Sequence, residues 1–453
     1  MAKKHIAYVC SDCGSEYGKW QGKCDDCGAW NTIKKFVVSA PSKTNSEKLS
    51  GYTGTTGEIH KLNQIKVESL SRIITGISEL DRVLGGGLVP GSVILIGGQP
   101  GAGKSTLLLQ ILCQLAKSHN SLYVTGEESL QQIAVRANRL QLPTDELNIV
   151  SQTDIDKICT DAQSTAPVIL VIDSIQVMQS ADLSASPGSV SQVRECAAIL
   201  TRYAKLTNTI ILMIGHVTKD GMLAGPKVLE HMIDCSIMLE GDDHSRYRTL
   251  RSTKNRYGAV NELGVFAMTA LGLKEVKNPS AIFLSRSKEE SSGSVVLVIW
   301  EGSRPMLVEL QALVDQNNYG NPQRLAVGVE GNRLTMLLAI LHKHDSISIS
   351  DQDVFVNIVG GIKIAETSSD LALLIAVTSS FRETVLGKDL VVFGEVGLSG
   401  EIRPVPNGLE RIKEAQKHGF KRAIIPKENM PKAPIDGIEL IGVARLQEAL
   451  DRI

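Results

Sequence analysis

Between residues 69 and 275 the chain alternates short, continuous apolar runs with longer segments whose apolar residues recur every three or four positions. The runs "SVILIGG", "NSLYVTGE", "PVILVIDS" and "TIILMIGH" are rich in β-branched residues and end on glycine or polar residues. Runs of this length fit strands buried on both faces. The segments "STLLLQILCQLAKS" and "SVSQVRECAAILTRYAKL" carry the helical period instead. Such alternation predicts βαβ units and a mainly parallel sheet flanked by helices. A second pattern begins at 276, with strands in "GSVVLVIWEG" and "VFVNIVGG" and helices in "RLTMLLAILHKH" and "SDLALLIAVTSSF". This predicts an α+β domain over 276–453.

Two further segments precede the core. Residues 36–68, with "SAPSKTNSEKLSGYTGTTGE", are rich in Ser, Thr, Gly and Lys and read as a flexible linker. Residues 1–35 hold Cys10-x2-Cys13 and Cys24-x2-Cys27, each pair followed by glycine. Four thiolates at this spacing suit a tetrahedral zinc ion. Trp20 and Trp30, with Lys19 and Lys23, read either as the small core of this unit or as a surface that stacks on nucleic acid.

Composition narrows the class. A net charge of −1 excludes a globally cationic surface, so any nucleic-acid contact rests on local basic patches. The apolar runs are too short to span a bilayer, and "MAKKHIAYVC" has no apolar signal core. Cys113, Cys159, Cys196 and Cys235 are scattered through apolar or helical settings. Together these predict a cytoplasmic protein without a membrane partner.

The chemistry centres on "GQPGAGKST". Gly98, Gly101, Gly103, Lys104, Ser105 and Thr106 match the phosphate-binding loop, placed between a predicted strand and a predicted helix. Its backbone N–H groups converge on phosphates at a helix N-terminus. Lys104 is expected at the β/γ-phosphates of ATP, and Ser105 on Mg²⁺. Asp173 ends "VILVID" and fits the second magnesium-holding position. Glu127 and Glu128 follow another core strand, where one carboxylate orients the attacking water. The choice between them stays open. His216 ends a fourth strand as a γ-phosphate sensor, and Lys219 and Lys227 lie in the loop that follows.

With these residues in place the sequence resembles the RecA-like ATPases, within them the bacterial DNA-repair group with an N-terminal zinc ribbon. The marks are the four cysteines, "TGISELDRVLGGGLVPGS" before the phosphate loop, "GEES" and "KNRYG". The C-terminal region, with "VFGEVGLSGEIRPVPNGLERIKEA", is similar to the Lon protease fold. The resemblance implies a homohexameric ring that binds single-stranded and branched DNA and uses ATP for branch migration. It also implies RecA recombinase and a replicative helicase as partners, and Lys219 and Lys227 on DNA.

Lon proteases pair a serine with a lysine in "GGLK". Here the matching stretch is Asn407-Gly408-Leu409-Glu410, with Ser368 or Ser369 near the serine position. A serine without a base is a poor nucleophile, so a non-proteolytic scaffold is expected. Arg304, Arg324, Arg333 and Arg403 are its candidate DNA contacts. In "STKNRYG", Lys254 and Arg256 share a strand face, and the resemblance places them in trans on a neighbour's γ-phosphate. The alternatives are an ATP-dependent protease and an ATP-switched DNA-binding scaffold without motor activity.

Overall fold

The computed structural model describes residues 5–10, 15–17, 19–38, 61, 71–216, 228–241, 246–284, 291–317, 320–345 and 347–453. Cys13, Lys219, Lys227 and most of the expected linker lie outside these residues. The chain divides into two units, 1–276 and 277–453.

The first unit opens with a small sheet in the order β2–β1–β3, built from β1 (His5–Cys10), β2 (Glu16–Tyr17) and β3 (Ile33–Val38). Val38 pairs with His5, so residues 36–38 belong to this sheet rather than to the linker. The reason is that β3 must run the full length of β1 to satisfy its backbone.

The core follows as α1 (Ser78–Val83), β4 (Val93–Gly98), α2 (Lys104–Leu115), β5 (Ser121–Thr125), α3 (Leu130–Arg139) and β6 (Asn148–Ser151). Then come α4 (Ile155–Thr165), β7 (Ile169–Asp173), α5 (Val190–Thr207), β8 (Ile210–Ile214), α6 (Val228–Met232) and β9 (Cys235–Glu240). Three antiparallel strands complete it: β10 (Tyr247–Asn255), β11 (Leu263–Thr269) and β12 (Gly272–Glu275). Together the strands form one sheet in the order β12–β11–β10–β9–β4–β8–β7–β5–β6. Pairing is parallel from β9 through β4 to β6 and antiparallel from β9 to β12.

Period-2 alternation splits the buried strands between two cores. Ile94, Ile96, Tyr123 and Val171 pack with α2, while Val93, Leu95, Val124 and Ile172 pack with α4 and α5. This is why the runs read as uniformly apolar.

At the N-terminal end of β4 lies a buried carboxylate. Asp234 accepts Val93 N–H at 3.0 Å and Lys205 Nζ at 2.6 Å, and Arg256 Nη1 lies 3.2 Å from its other oxygen. Its side chain is 2% exposed. Removing it strands a buried N–H and a partly buried ammonium.

The second unit contains β13 (Ser294–Glu301), β14 (Arg304–Gln316), β15 (Arg324–Val327), α7 (Gly331–Asp345), β16 (Gln352–Ile358) and α8 (Asp370–Phe381). It continues with β17 (Leu390–Val392), β18 (Glu395–Val396), β19 (Ile402–Arg403), α9 (Gly408–Lys417), β20 (Arg422–Pro426), β21 (Glu439–Val443) and α10 (Leu446–Leu450). Its main sheet runs β15–β16–β14–β13–β17–β20–β21, mixed in direction. Helix α8 is buried from Asp370 to Ser380, as the apolar run from Leu371 to Val377 requires, with Asp370 paired to Arg333.

Asp234→Ala is expected to cost about 3 kcal/mol, the scale for breaking a buried ion pair. A fall in the first unit's thermal midpoint, larger than for Asp234→Asn, checks it by calorimetry.

Candidate functional site

Parallel strands deliver their following residues to one edge of the sheet. Gly98 ends β4, and a side chain there would meet Leu239 O at 2.4 Å. Gly103 caps α2 at φ 104°, where a side chain would strike Met268 and Leu273 within 3 Å. Both positions therefore require glycine, and the loop between them is free to turn its N–H groups inward.

Lys104 begins α2 and is 4% exposed. Its ammonium donates to Gly98 O at 2.8 Å and Gln99 O at 2.9 Å, arching back over the loop. Burial lowers its pKa, and the charges of Asp173 and Glu127 oppose that shift. Asp173, at the end of β7, is buried on the α2 side of the sheet and accepts hydrogen bonds from Tyr123 Oη and the Ser105 hydroxyl. Burial raises its pKa, and these two bonds counter the rise. Thr106 follows, half-buried, on the first turn of α2.

The two glutamates after β5 separate cleanly. Glu128 is ion-paired with Arg136 of α3, and Thr125 straps its backbone, Glu128 N–H donating to Oγ1 at 3.1 Å. Glu127 turns toward the strand ends. It accepts from Ser174 Oγ, and His216 Nε2 lies 3.2 Å from its Oε1. A carboxylate so placed, within the field of Lys104, is the one positioned to orient a water. Sequence alone did not separate the pair, and it also missed Tyr123 and Ser174, which orient Asp173 and Glu127.

Lys254 and Arg256 lie elsewhere. Asn255 pairs with Cys235, which pairs with Ile94, at the opposite end of β4 from Gly98. Four residues of strand separate the two ends, roughly 13 Å at about 3.3 Å per residue. Lys254 Nζ donates to Glu230 O and to Ile233 O (2.8 Å), closing the C-terminal end of α6. Burial lowers its pKa, and Arg256 lowers it further. Arg256 rests on Asp234 with 54% of its side chain exposed. The turn is latched by Arg72 Nη2 donating to Tyr257 O at 2.8 Å and by contact between Gly85 and Gly258.

In the N-terminal sheet, Cys10, Cys24 and Cys27 bring their sulfurs within 4.8 Å of one another. The Cys10–Cys27 Sγ separation is 3.7 Å. A tetrahedron with Zn–S bonds of about 2.3 Å has edges of about 3.8 Å, so the thiolates fit zinc. Both tryptophans stand outside the small core of Cys10, Cys24 and Ile33, with Trp20 58% and Trp30 70% exposed. The reading of the indoles as core is corrected: sulfurs, tyrosines and one isoleucine already fill it.

In the second unit Glu410 is exposed, and Arg411 occupies the interior instead. Its guanidinium bonds Glu366 at 2.7 and 3.0 Å and donates to Ser368 Oγ at 3.2 Å and to Val298 O. Arginine remains protonated, so it cannot take a proton from serine. Ser369 Oγ donates to Glu366 O at 3.2 Å. The helical step from 410 to 411 turns the side chain by about 100°, so Arg411 rather than Glu410 faces Ser368. The candidate arginines are also largely engaged: Arg333 with buried Asp370, Arg324 with the carbonyls of Ile349 and Gln352, and Arg403 with Glu401 and Glu395. Arg304 is half-buried at the start of β14.

A phosphate loop on a RecA-like sheet, in a chain that also carries a ribbon whose cysteines suit zinc, defines a P-loop ATPase of the RecA-like class. The chain belongs to the family of the DNA repair protein RadA. It is 62% identical to that protein from Haemophilus influenzae, over 99% of both chains. It is likewise 62% identical to that from Escherichia coli K12, over 98% of this chain and 97% of the relative, and 45% to that from Bacillus subtilis, over 99% of both. Family models match for an AAA domain over 61–222, the subunit ChlI of Mg-chelatase over 332–429, and a rubredoxin metal binding domain over 8–35. Among solved structures, a KaiC-like protein from the hyperthermophilic archaea Pyrococcus horikoshii OT3 aligns over 46% of this chain and 99% of its own, at 18% identity and TM-score 0.39.

Glu127→Gln is expected to lower ATP turnover by about 100-fold or more while leaving ATP binding intact, on the scale of lost general-base help. Glu128→Gln is expected to stay within about fivefold of wild type, since its partner Arg136 sits on α3. Steady-state hydrolysis beside equilibrium nucleotide binding separates the two.

Proposed function

We propose that the chain is a DNA-dependent ATP motor that binds single-stranded and branched DNA and drives branch migration as a homohexameric ring. The observation that carries this reading is the position of Lys254 and Arg256. They stand at the sheet end remote from their own phosphate loop, which supports a role toward a second subunit's nucleotide rather than their own. Membership of a DNA-repair ATPase family supports the choice of DNA as the track. RecA recombinase and a replicative helicase remain the partners this reading implies.

In the proposed mechanism the loop from Gly98 to Gly103 holds the phosphates through its N–H groups. Lys104 leaves the carbonyls of Gly98 and Gln99 for the β/γ-phosphates. Ser105 and Asp173 hold Mg²⁺, with Tyr123 orienting the Asp173 carboxylate. The ion supplies charge neutralisation and alignment of the phosphates when bound. Glu127 orients the attacking water, and Ser174 fixes Glu127. His216, bonded to the same carboxylate, links the site to the segment carrying Lys219 and Lys227, so that DNA contact there alters the setting of Glu127. Arg256, with Lys254 behind it, stabilises charge on the neighbour's γ-phosphate.

The protease reading is disfavoured by Arg411, a fixed cation where a dyad needs a base. The switched-scaffold reading predicts no strand movement linked to turnover.

A three-strand branch-migration assay tests the motor. Wild type is expected to extend the joint with ATP, and Lys104→Ala is not; equal extension by both sinks ATP-driven migration. Arg256→Ala is expected to bind ATP yet lose turnover by on the order of 10³-fold. Mixing it with Lys104→Ala should restore part of the rate, because each supplies what the other lacks across an interface. A mixture as inactive as its components removes the trans role.

A further inference from the structure

The N-terminal ribbon exposes two large indoles that its own core does not use. They are arranged rather than scattered. Trp20 Nε1 donates to Ile33 O at 3.1 Å, which fixes the ring while its surface stays open. Lys23 and Trp30 are bridged through their backbones, and Lys23 Nζ stands 5.8 Å over the Trp30 ring. Gly22 lies between the rings: a side chain begun there would sit 3.9 Å from both Trp20 and Trp30. The neighbouring acids are exposed as well but each has a partner within the ribbon, Asp25 with Gln21 Nε2 (2.7 Å) and Asp26 with Tyr17 Oη (3.3 Å). The exposed surface thus carries Trp20 with Lys19 next to it in sequence, and Trp30 with Lys23 upon it.

We propose that Trp20 and Trp30 form a stacking platform for the bases of single-stranded nucleic acid, with Lys19 and Lys23 receiving its phosphates. Bases and phosphates alternate along a single strand, and so do rings and ammonium groups here. Aromatic stacking tolerates any sequence because every base has a π-face. Zinc held by Cys10, Cys24 and Cys27 would stiffen the ribbon, since Trp20 and Trp30 lie within a few residues of Cys24 and Cys27. The platform deepens the DNA-binding reading of the chain and rests on it, while its own failure leaves that reading intact.

The chain has three tryptophans, two of them in the platform, so its intrinsic fluorescence reports on it directly. Fluorescently labelled oligo-dT is titrated with the full-length chain at fixed salt and affinity is read by anisotropy, with tryptophan quenching as a second readout for wild type, and zinc content by atomic absorption confirms that each variant keeps its ribbon. Wild type should bind with quenched emission. Trp20→Ala/Trp30→Ala should bind at least tenfold more weakly with the quench lost, and Trp20→Phe/Trp30→Phe should recover most of the affinity. Lys23→Ala should flatten the salt dependence of binding by about one phosphate contact, a slope change of about 0.7 for a single strand. Equal dT affinity in wild type and the double alanine variant, both loaded with zinc, overturns the platform and leaves a protein as the indoles' occupant. Phenylalanines as weak as alanines likewise overturn stacking. Failure of wild type itself to bind dT overturns the DNA reading as well.

Discussion

A parallel strand can deliver its next residue to only one edge of a sheet. That constraint gathers Gly98, Glu127, Asp173 and His216, which are far apart in sequence, around Lys104. The antiparallel return of β10 then carries Arg256 to the other edge. The separation of Arg256 from the phosphate loop is thus a property of strand direction. Helices α2, α4 and α5 bury both faces of the sheet, so these strands have little freedom to slide.

Much of this was legible in the chain, because buried strands and a glycine-rich loop are local signals. Strands β4, β5, β7 and β8 fall within the apolar runs that announced them, and α2 begins on the lysine of the phosphate loop. The antiparallel strands β10 to β12 were less visible, since half-exposed strands carry mixed residues. Glu127 and Glu128 could not be told apart because the distinction lies in who stands opposite: Ser174 and His216 for one, Arg136 for the other. Asp234 had no signature at all. Its role depends on Lys205, Val93 and Arg256, brought together only by tertiary structure.

The second unit is organised around a buried guanidinium. Arg411, 1% exposed, is satisfied by Glu366 and backbone carbonyls and lies near the rings of Trp300 and Phe393. A buried guanidinium with its partners in place locks the segment before α8 to α9. The position beside the serine thus works as a structural clamp, which a titrating lysine would do less well.

Asp234 gives the rear of the ATPase sheet a further meaning. The same carboxylate holds Arg256 and the first N–H of β4, whose other end is the phosphate loop. In the proposed ring, a phosphate from a neighbour would compete with Asp234 for that guanidinium, leaving Asp234 to Lys205 and the β4 backbone. Each subunit would then register its neighbour's nucleotide as a change of charge at the foot of the very strand that carries its own.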